Sequence, residues 1–574
     1  MSINIILLIF YFILNNTKGS EVYKIALKGD NKTNLYWTIN YPKEILNFEI
    51  HVSLPKNFWF AIGFSPYGEL KLADFCILWT DWKNKIHFQD AWTSEEGRIS
   101  VDASQDCTNF QFFKTKEGIK FGFRRKFITC DADDYEIEDG TTHIVWAQGK
   151  GPLFRLEGVN IYSAMISGFE RAQLLKNINS YENHPSDTWT LEILTNKVKV
   201  PETETTYWCH VHKLPEKLIK KHHIIQYESV IQKGNEHLVH HIEVFHCETS
   251  VNETIPSFAG SCFAENRPEK TKVCKKVIAA WAMGAQAFSY PQEAGLPIGG
   301  PNYNRFVMLE VHYNNPELKN DWVDSSGIRF YLTPSLRKYD GGVIELGLEY
   351  IDKMAIPPGQ KRFQLSGFCI TECTAVGLPE TGIIVFGSQL HTHLLGTQVY
   401  TKHVRNGQEL PELNRDNHYS THFQEIRKLK RFVKVLPGDA LITTCTYKST
   451  EKNNVTLGGF SITDEMCVNY IHYYPKTNLE VCKSSISYEN LFNYFNYLRS
   501  YENQDTDSEK AISYNYNAIE WTPLRVEVLN DLYSNAGISM QCNQSSGERF
   551  PGDWENLPVT KIYKPLPMPK SKCY

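Results

Sequence analysis

The stretch Gly382–Gly396, GIIVFGSQLHTHLLG, opens on a run of β-branched and apolar residues and closes on two histidines spaced two apart. Branched and aromatic side chains favour the extended chain, and the flanking glycines bracket the run as turn residues do. Read as a strand, it sends alternate side chains to opposite faces. His391 and His393 then share a face and present two imidazoles to one point, as a metal ion requires.

Working outward, the same pattern recurs. HLVHHIEVFHC (237–247), RFVMLEVHY (305–313), DALITTCTY (439–447) and MCVNYIHYYP (466–475) all read as buried or half-buried strands. Two carry further histidines inside apolar runs: His240 and His241, and His312. Adjacent histidines in a regular strand point to opposite faces. For His240 and His241 to meet one metal, the backbone must bulge or twist there. One such histidine is an ordinary core or surface residue. Five in apolar strands need partners, and a metal satisfies several at once. Zinc, copper and non-haem iron remain open. No HExxH motif is present, and no carboxylate stands at the short spacing of a facial triad. A methionine ligand would select copper, but nothing local says which of the eight methionines would serve.

The rest of the chain extends the β reading. NFEIHVSLP (47–55), FWFAIGFS (58–65), FCILWTD (75–81) and TTHIVWAQ (141–148) are short apolar or alternating runs broken by Gly, Pro, Asn and Asp. They predict an N-terminal β-sandwich. Residues 166–205 are more polar and read as a linker. Helical spacing appears in one place, about 483–500, through Leu491, Phe492, Phe495 and Leu498. Residues 501–515 read as a mobile polar loop.

Length and composition set the class. A chain of 574 residues predicts several domains. The net charge of −5, with no long basic run, excludes a charge-driven nucleic-acid partner. The apolar run Ile5–Leu14 is half the length of a membrane span and is followed by Thr17 and Gly19. It reads as a secretory signal peptide over residues 1–19, with a short uncleaved anchor as the alternative. No other transmembrane span or lipid-anchor tail is expected. Fourteen cysteines then imply disulfides. Glycosylation sequons stand at Asn31, Asn252, Asn454 and Asn543.

Ordered motifs give a resemblance. They include TTYWC (205–209), LVHHIEVF (238–245), AWAMGAQAFSYPQEAGLPIGGP (280–301), LEVHYNNP (309–316), DNHYSTHFQEIRKLK (416–430) and EMCVNYIHYYP (465–475). In these the chain resembles the copper type II, ascorbate-dependent monooxygenases over nearly its whole length, and most of all their amine-hydroxylating branch. The N-terminal part resembles a DOMON sandwich.

The resemblance implies a mainly β chain: a DOMON domain (20–165), a linker (166–205), two jelly-roll-like catalytic sandwiches (206–345 and 346–545), each holding one copper, and a tail (546–574). It implies that His240, His241 and His312 hold an electron-transfer copper, and that His391, His393 and Met466 hold the copper at which oxygen and substrate meet. Tyr207 and His391 are the catalytic candidates, with a packed aromatic beside Cys209 as the other reading of Tyr207. Ascorbate is the implied reductant. A phenylethylamine such as tyramine or dopamine, hydroxylated at the benzylic β-carbon with O2, is the implied substrate. A related group of unknown substrate and a non-catalytic copper- or ligand-binding secreted protein are the alternatives. The peptide-amidating branch reads a carboxylate with Arg two residues before the HxH pair; here that position is Gln389, which disfavours peptide amidation.

The resemblance also implies the pairs Cys209–Cys262, Cys247–Cys274, Cys369–Cys482, Cys373–Cys542, Cys445–Cys467 and Cys130–Cys573. It leaves Cys76 and Cys107, for which an internal pair is favoured over free thiols or a link between subunits of a homo-oligomer. The expected location is the secretory pathway, in a vesicle lumen or outside the cell.

Overall fold

The computed structural model describes residues 21–27, 33–53, 57–115, 118–176, 184–283, 285–567 and 573. The expected signal peptide and the sequon at Asn31 lie outside the described residues. The chain forms two compact units, one of residues 1–178 with 568–574 and one of residues 179–567.

The first unit is a sandwich. A five-stranded sheet runs in the order 23–26, 34–40, 45–52, 119–126, 108–114. A six-stranded sheet runs 166–172, 142–150, 58–65, 74–80, 86–93, 99–101. Their facing sides share one core that includes Trp37, Phe48, Phe60 and Trp146. The central strands of the larger sheet are buried on both faces, because Leu156 and Ile161 help to cover the outer one. That is why FWFAIGFS is apolar throughout rather than alternating. Cys76 pairs with Cys107 inside this unit and Cys130 with Cys573.

The second unit holds two further sandwiches. In the first, a five-stranded sheet (259–261, 205–213, 306–314, 239–247, 274–282) packs on a second sheet built from 189–194, 327–333, 222–230, 294–298 and 339–340. In the other, six strands (427–435, 383–391, 468–474, 342–348, 479–486, 538–544) face four (363–369, 439–447, 396–405, 408–416) over a core that includes Phe368, Ile442 and Ile471. The remaining five disulfides join the pairs that the resemblance implied.

Three sequence expectations need adjusting. Residues 166–205 carry strands: Ile166–Ala172 extends the larger sheet of the first unit, and Trp189–Leu194 pairs with Gly327–Thr333 in the second. The polar sequence between them masks two short alternating runs. The helical spacing yields a helix over Tyr488–Glu502, capped by Ser487, while residues 483–486 end a strand. The expected loop 501–515 is pinned and partly helical. Thr506 Oγ1 donates to Phe495 O (2.7 Å), and Asn515 accepts from Asp507 N (2.6 Å) as the helix Ile512–Ala518 begins. Thr506 and Asn515 are buried at these bonds, while Asp505, Glu509 and Lys510 stay exposed.

Candidate metal centre

Three neighbouring strands of the five-stranded sheet set a row of rings. Tyr207 is the cross-strand partner of His312, and His312 is the partner of His241. Cross-strand partners share a face, so the three side chains stand side by side. Tyr207 lies flat on His312, with ring centroids 4.5 Å apart and planes 4° apart.

His240 enters through an irregularity in the ladder. Val239 pairs with Tyr313 and His241 with His312, so the register shifts between them and His240 is the extra residue. The backbone departs from a regular strand where the adjacent histidines demand it. His241 Nδ1 lies 3.3 Å from His240 Nδ1 and 3.1 Å from His312 Nδ1. Each neutral ring carries a single N–H, so these nitrogens cannot all satisfy one another. Nitrogens about 2.0 Å from one ion, at tetrahedral angles, lie about 3.3 Å apart. The two spacings fit donors that share one cation, and the ligand atoms of all three rings lie within 4.8 Å of one another. Burial holds His312 down at about 4 and His241 well below its ordinary range, which keeps both rings neutral, the form a metal takes.

The second set stands where the strand Ile383–His391 ends. His391 and His393 have ring centroids 5.4 Å apart and nearly perpendicular planes. His391 Nδ1 donates to Gln424 Oε1 (2.6 Å), and His393 Nδ1 donates to Asp464 O (2.9 Å). Both rings are thereby fixed in one tautomer, with Nε2 left as the donor to a metal. Burial, followed by His393, holds His391 at about 4.

Met466 joins this set through Glu465. The buried Glu465 carboxylate accepts backbone N–H bonds from His393 (3.0 Å), Leu395 (2.6 Å) and Met466 (3.1 Å). Tyr447 OH donates to Met466 O (2.7 Å), and the Cys445–Cys467 disulfide stands beside it. Two imidazoles with a thioether-bearing residue held on the same anchor make a soft set that suits copper.

One segment, 422–424, touches both sets. His422 comes within 5.8 Å of His240, ring to ring and edge to face. Two residues on, Gln424 holds His391. Sequence reading did not single out His422, Gln424 or Glu465. The motifs DNHYSTHFQEIRKLK and EMCVNYIHYYP contained them, but only the fold gives them partners.

Beside the row of rings, Glu243 and Glu310 face each other across the sheet. Burial, then Glu310, pushes Glu243 up to about 8. Burial pushes Glu310 up to about 7, and Arg267 opposes the shift.

Comparison with known proteins gives the same reading. Residues 191–320 match the N-terminal domain and 339–495 the C-terminal domain of copper type II ascorbate-dependent monooxygenase, and 29–149 match a DOMON domain. The chain is 45% identical to dopamine beta-hydroxylase of Homo sapiens over 96% of its length and 89% of that protein. It is 38% identical to tyramine beta-hydroxylase of Caenorhabditis briggsae over 92% of its length and 90% of that protein. The chain belongs to the copper type II ascorbate-dependent monooxygenases.

Proposed function

We propose that this protein hydroxylates the benzylic β-carbon of a phenylethylamine such as tyramine or dopamine, with O2 as oxidant and ascorbate as reductant. The observation that carries the reading is the pair of unlike donor sets in one unit: three imidazoles in one, two imidazoles and Met466 in the other. His240, His241 and His312 would hold one copper, and His391, His393 and Met466 the other. When bound, copper supplies one-electron redox chemistry and activation of O2.

The chain's own residues set the geometry. Gln424 and Asp464 fix the rings of His391 and His393. Glu465 ties that pair to Met466. Tyr207 acts on the first set through His312, whose ring it covers. His241, His312 and His391, kept neutral by burial, need lose no proton to take up metal.

We further assign the protein to a secretory vesicle or the extracellular space. Seven disulfides support an oxidising route. The sequons at Asn252 and Asn454 are exposed, whereas Asn543 lies in a strand with its Oδ1 buried. No helix among the described residues is long and apolar enough to cross a membrane.

The test is product formation from tyramine and dopamine by the full chain with copper, ascorbate and O2. The expected result is a β-hydroxylated amine. Full copper loading without such a product from either amine would sink the reading.

A further inference from the structure

Two carboxylates beside the metal-binding row have no cation of their own. Side chains two apart on a strand share a face, so Glu243 continues the line of His241 and Glu310 that of His312. Among the described residues, neither carboxylate has a Lys or Arg within ion-pair distance. Arg267, which acts on Glu310 from further away, spends its guanidinium on Cys262 O and Thr271 Oγ1. Glu345, the next acid in this region, is already neutralised by Lys483 at 2.8 Å.

The second sandwich meets Glu243 directly. The Gln389 side chain lies near enough to Glu243 to favour its charged form, while its Nε2 donates to Gln424 O (3.0 Å). Gln389 stands two residues before His391 and shares its face. The cross-strand partner of Gln389 is Tyr470, whose ring lies 6.2 Å from that of His391. Tyr207 and Tyr470 both feel the charge of Glu243. An unpaired, half-buried carboxylate thus lies among aromatic rings, reaching from one donor set to the strand of the other. A ligand that brings a cation on a short arm from an aromatic ring completes this arrangement. A neutral or anionic ring compound leaves the carboxylates unpaired.

We infer that Glu243, facing Glu310 across the sheet, receives the ammonium group of the substrate, so that the site selects primary arylalkylammonium ions. The assignment rests on the amine-hydroxylase reading and adds the residue that recognises the amine. Gln389, whose Nε2 donates to Gln424 O, stands beside that carboxylate on the strand that carries His391.

The experiment measures equilibrium binding of tyramine and of 4-ethylphenol, which lacks the amine, to the copper-loaded full chain without reductant. Glu243→Gln is expected to weaken tyramine binding roughly 10- to 100-fold and to leave 4-ethylphenol binding unchanged. Glu243→Asp is expected to recover part of the loss. In turnover, the KM for tyramine rises while kcat at saturation is largely kept. Copper content and the spectrum of oxidised copper are unchanged in both variants, which separates recognition from damage to His241.

Tyramine binding by Glu243→Gln equal to that of the unsubstituted protein overturns the proposal. So does equal loss of both ligands, or the absence of tyramine binding to the unsubstituted protein. Product formation from tyramine, measured separately, judges the hydroxylase reading. Product with no change on Glu243→Gln removes only the Glu243 assignment. Charge-selective binding without product removes only the chemistry.

Discussion

The backbone N–H groups of His393 and Met466 donate to the same oxygen, Glu465 Oε2, at 3.0 and 3.1 Å. A strand end and a separate loop are thereby held on one atom, and the two proposed ligands they carry cannot drift apart. Glu465→Gln keeps the shape but turns one acceptor into a donor facing buried N–H groups. We expect a loss of about 1–3 kcal/mol in stability. We also expect copper content to fall by one ion per chain, with the three-histidine set still loaded. Metal analysis with thermal unfolding checks this, and unchanged copper content would refute the anchoring role.

Tyr207 touches the first set by stacking, and its hydroxyl has no hydrogen-bond partner among the described residues. Tyr207→Phe should keep copper affinity at that set. Tyr207→Ala should weaken it, since an aromatic pair contributes about 1 kcal/mol. Competition with a chelator reads both. Equal loss in the two variants would shift the role to the hydroxyl.

Gln389→Arg would place a guanidinium against Glu243. The new ion pair should occupy the carboxylate and raise the KM for tyramine at least as much as Glu243→Gln does. Steady-state kinetics decide it; an unchanged KM would separate Gln389 from amine recognition.

The first unit should be steadier in mild acid. Burial pushes Asp90 and Asp102 up to about 7 and raises Asp74 as well, although Arg125 beside Asp74 opposes the shift. An unfolded Asp titrates near ~3.9. Between these values the folded unit binds more protons than the unfolded chain, so its stability falls as pH rises toward about 7. Hydrogen exchange of residues 58–93 in the full chain, corrected for intrinsic rates, should show greater protection at the acid end of that window. Protection independent of pH would contradict the shifts.

Much of the site is legible in the sequence because it obeys the period of a strand. Of the pair His391 and His393, only His391 obeys it, as the last residue of its strand; His393 lies past the strand end, where Glu465 and Asp464 hold it. The adjacent His240 and His241 announce a break in the ladder, and the register shift at His240 is that break. What the sequence hides are contacts made at long range. Gln424 reaches His391 across 33 positions and Glu465 reaches His393 across 72. Such residues carry no periodic signature; each is a polar side chain in an apolar neighbourhood until the fold supplies its partner. The strand Trp189–Leu194 was hidden for the opposite reason. Its alternation is regular but short, and the Asn, Ser and Pro residues before it read as a linker.

The Cys130–Cys573 bond joins residues 443 positions apart and has both ends in the first unit. It makes the backbone between them a covalent ring, with the whole metal-binding unit as one arc. A single proteolytic nick anywhere in that arc opens the ring but releases nothing. Both units stay in one molecule until the disulfide is reduced, so a nicked protein runs as two fragments only on a reducing gel.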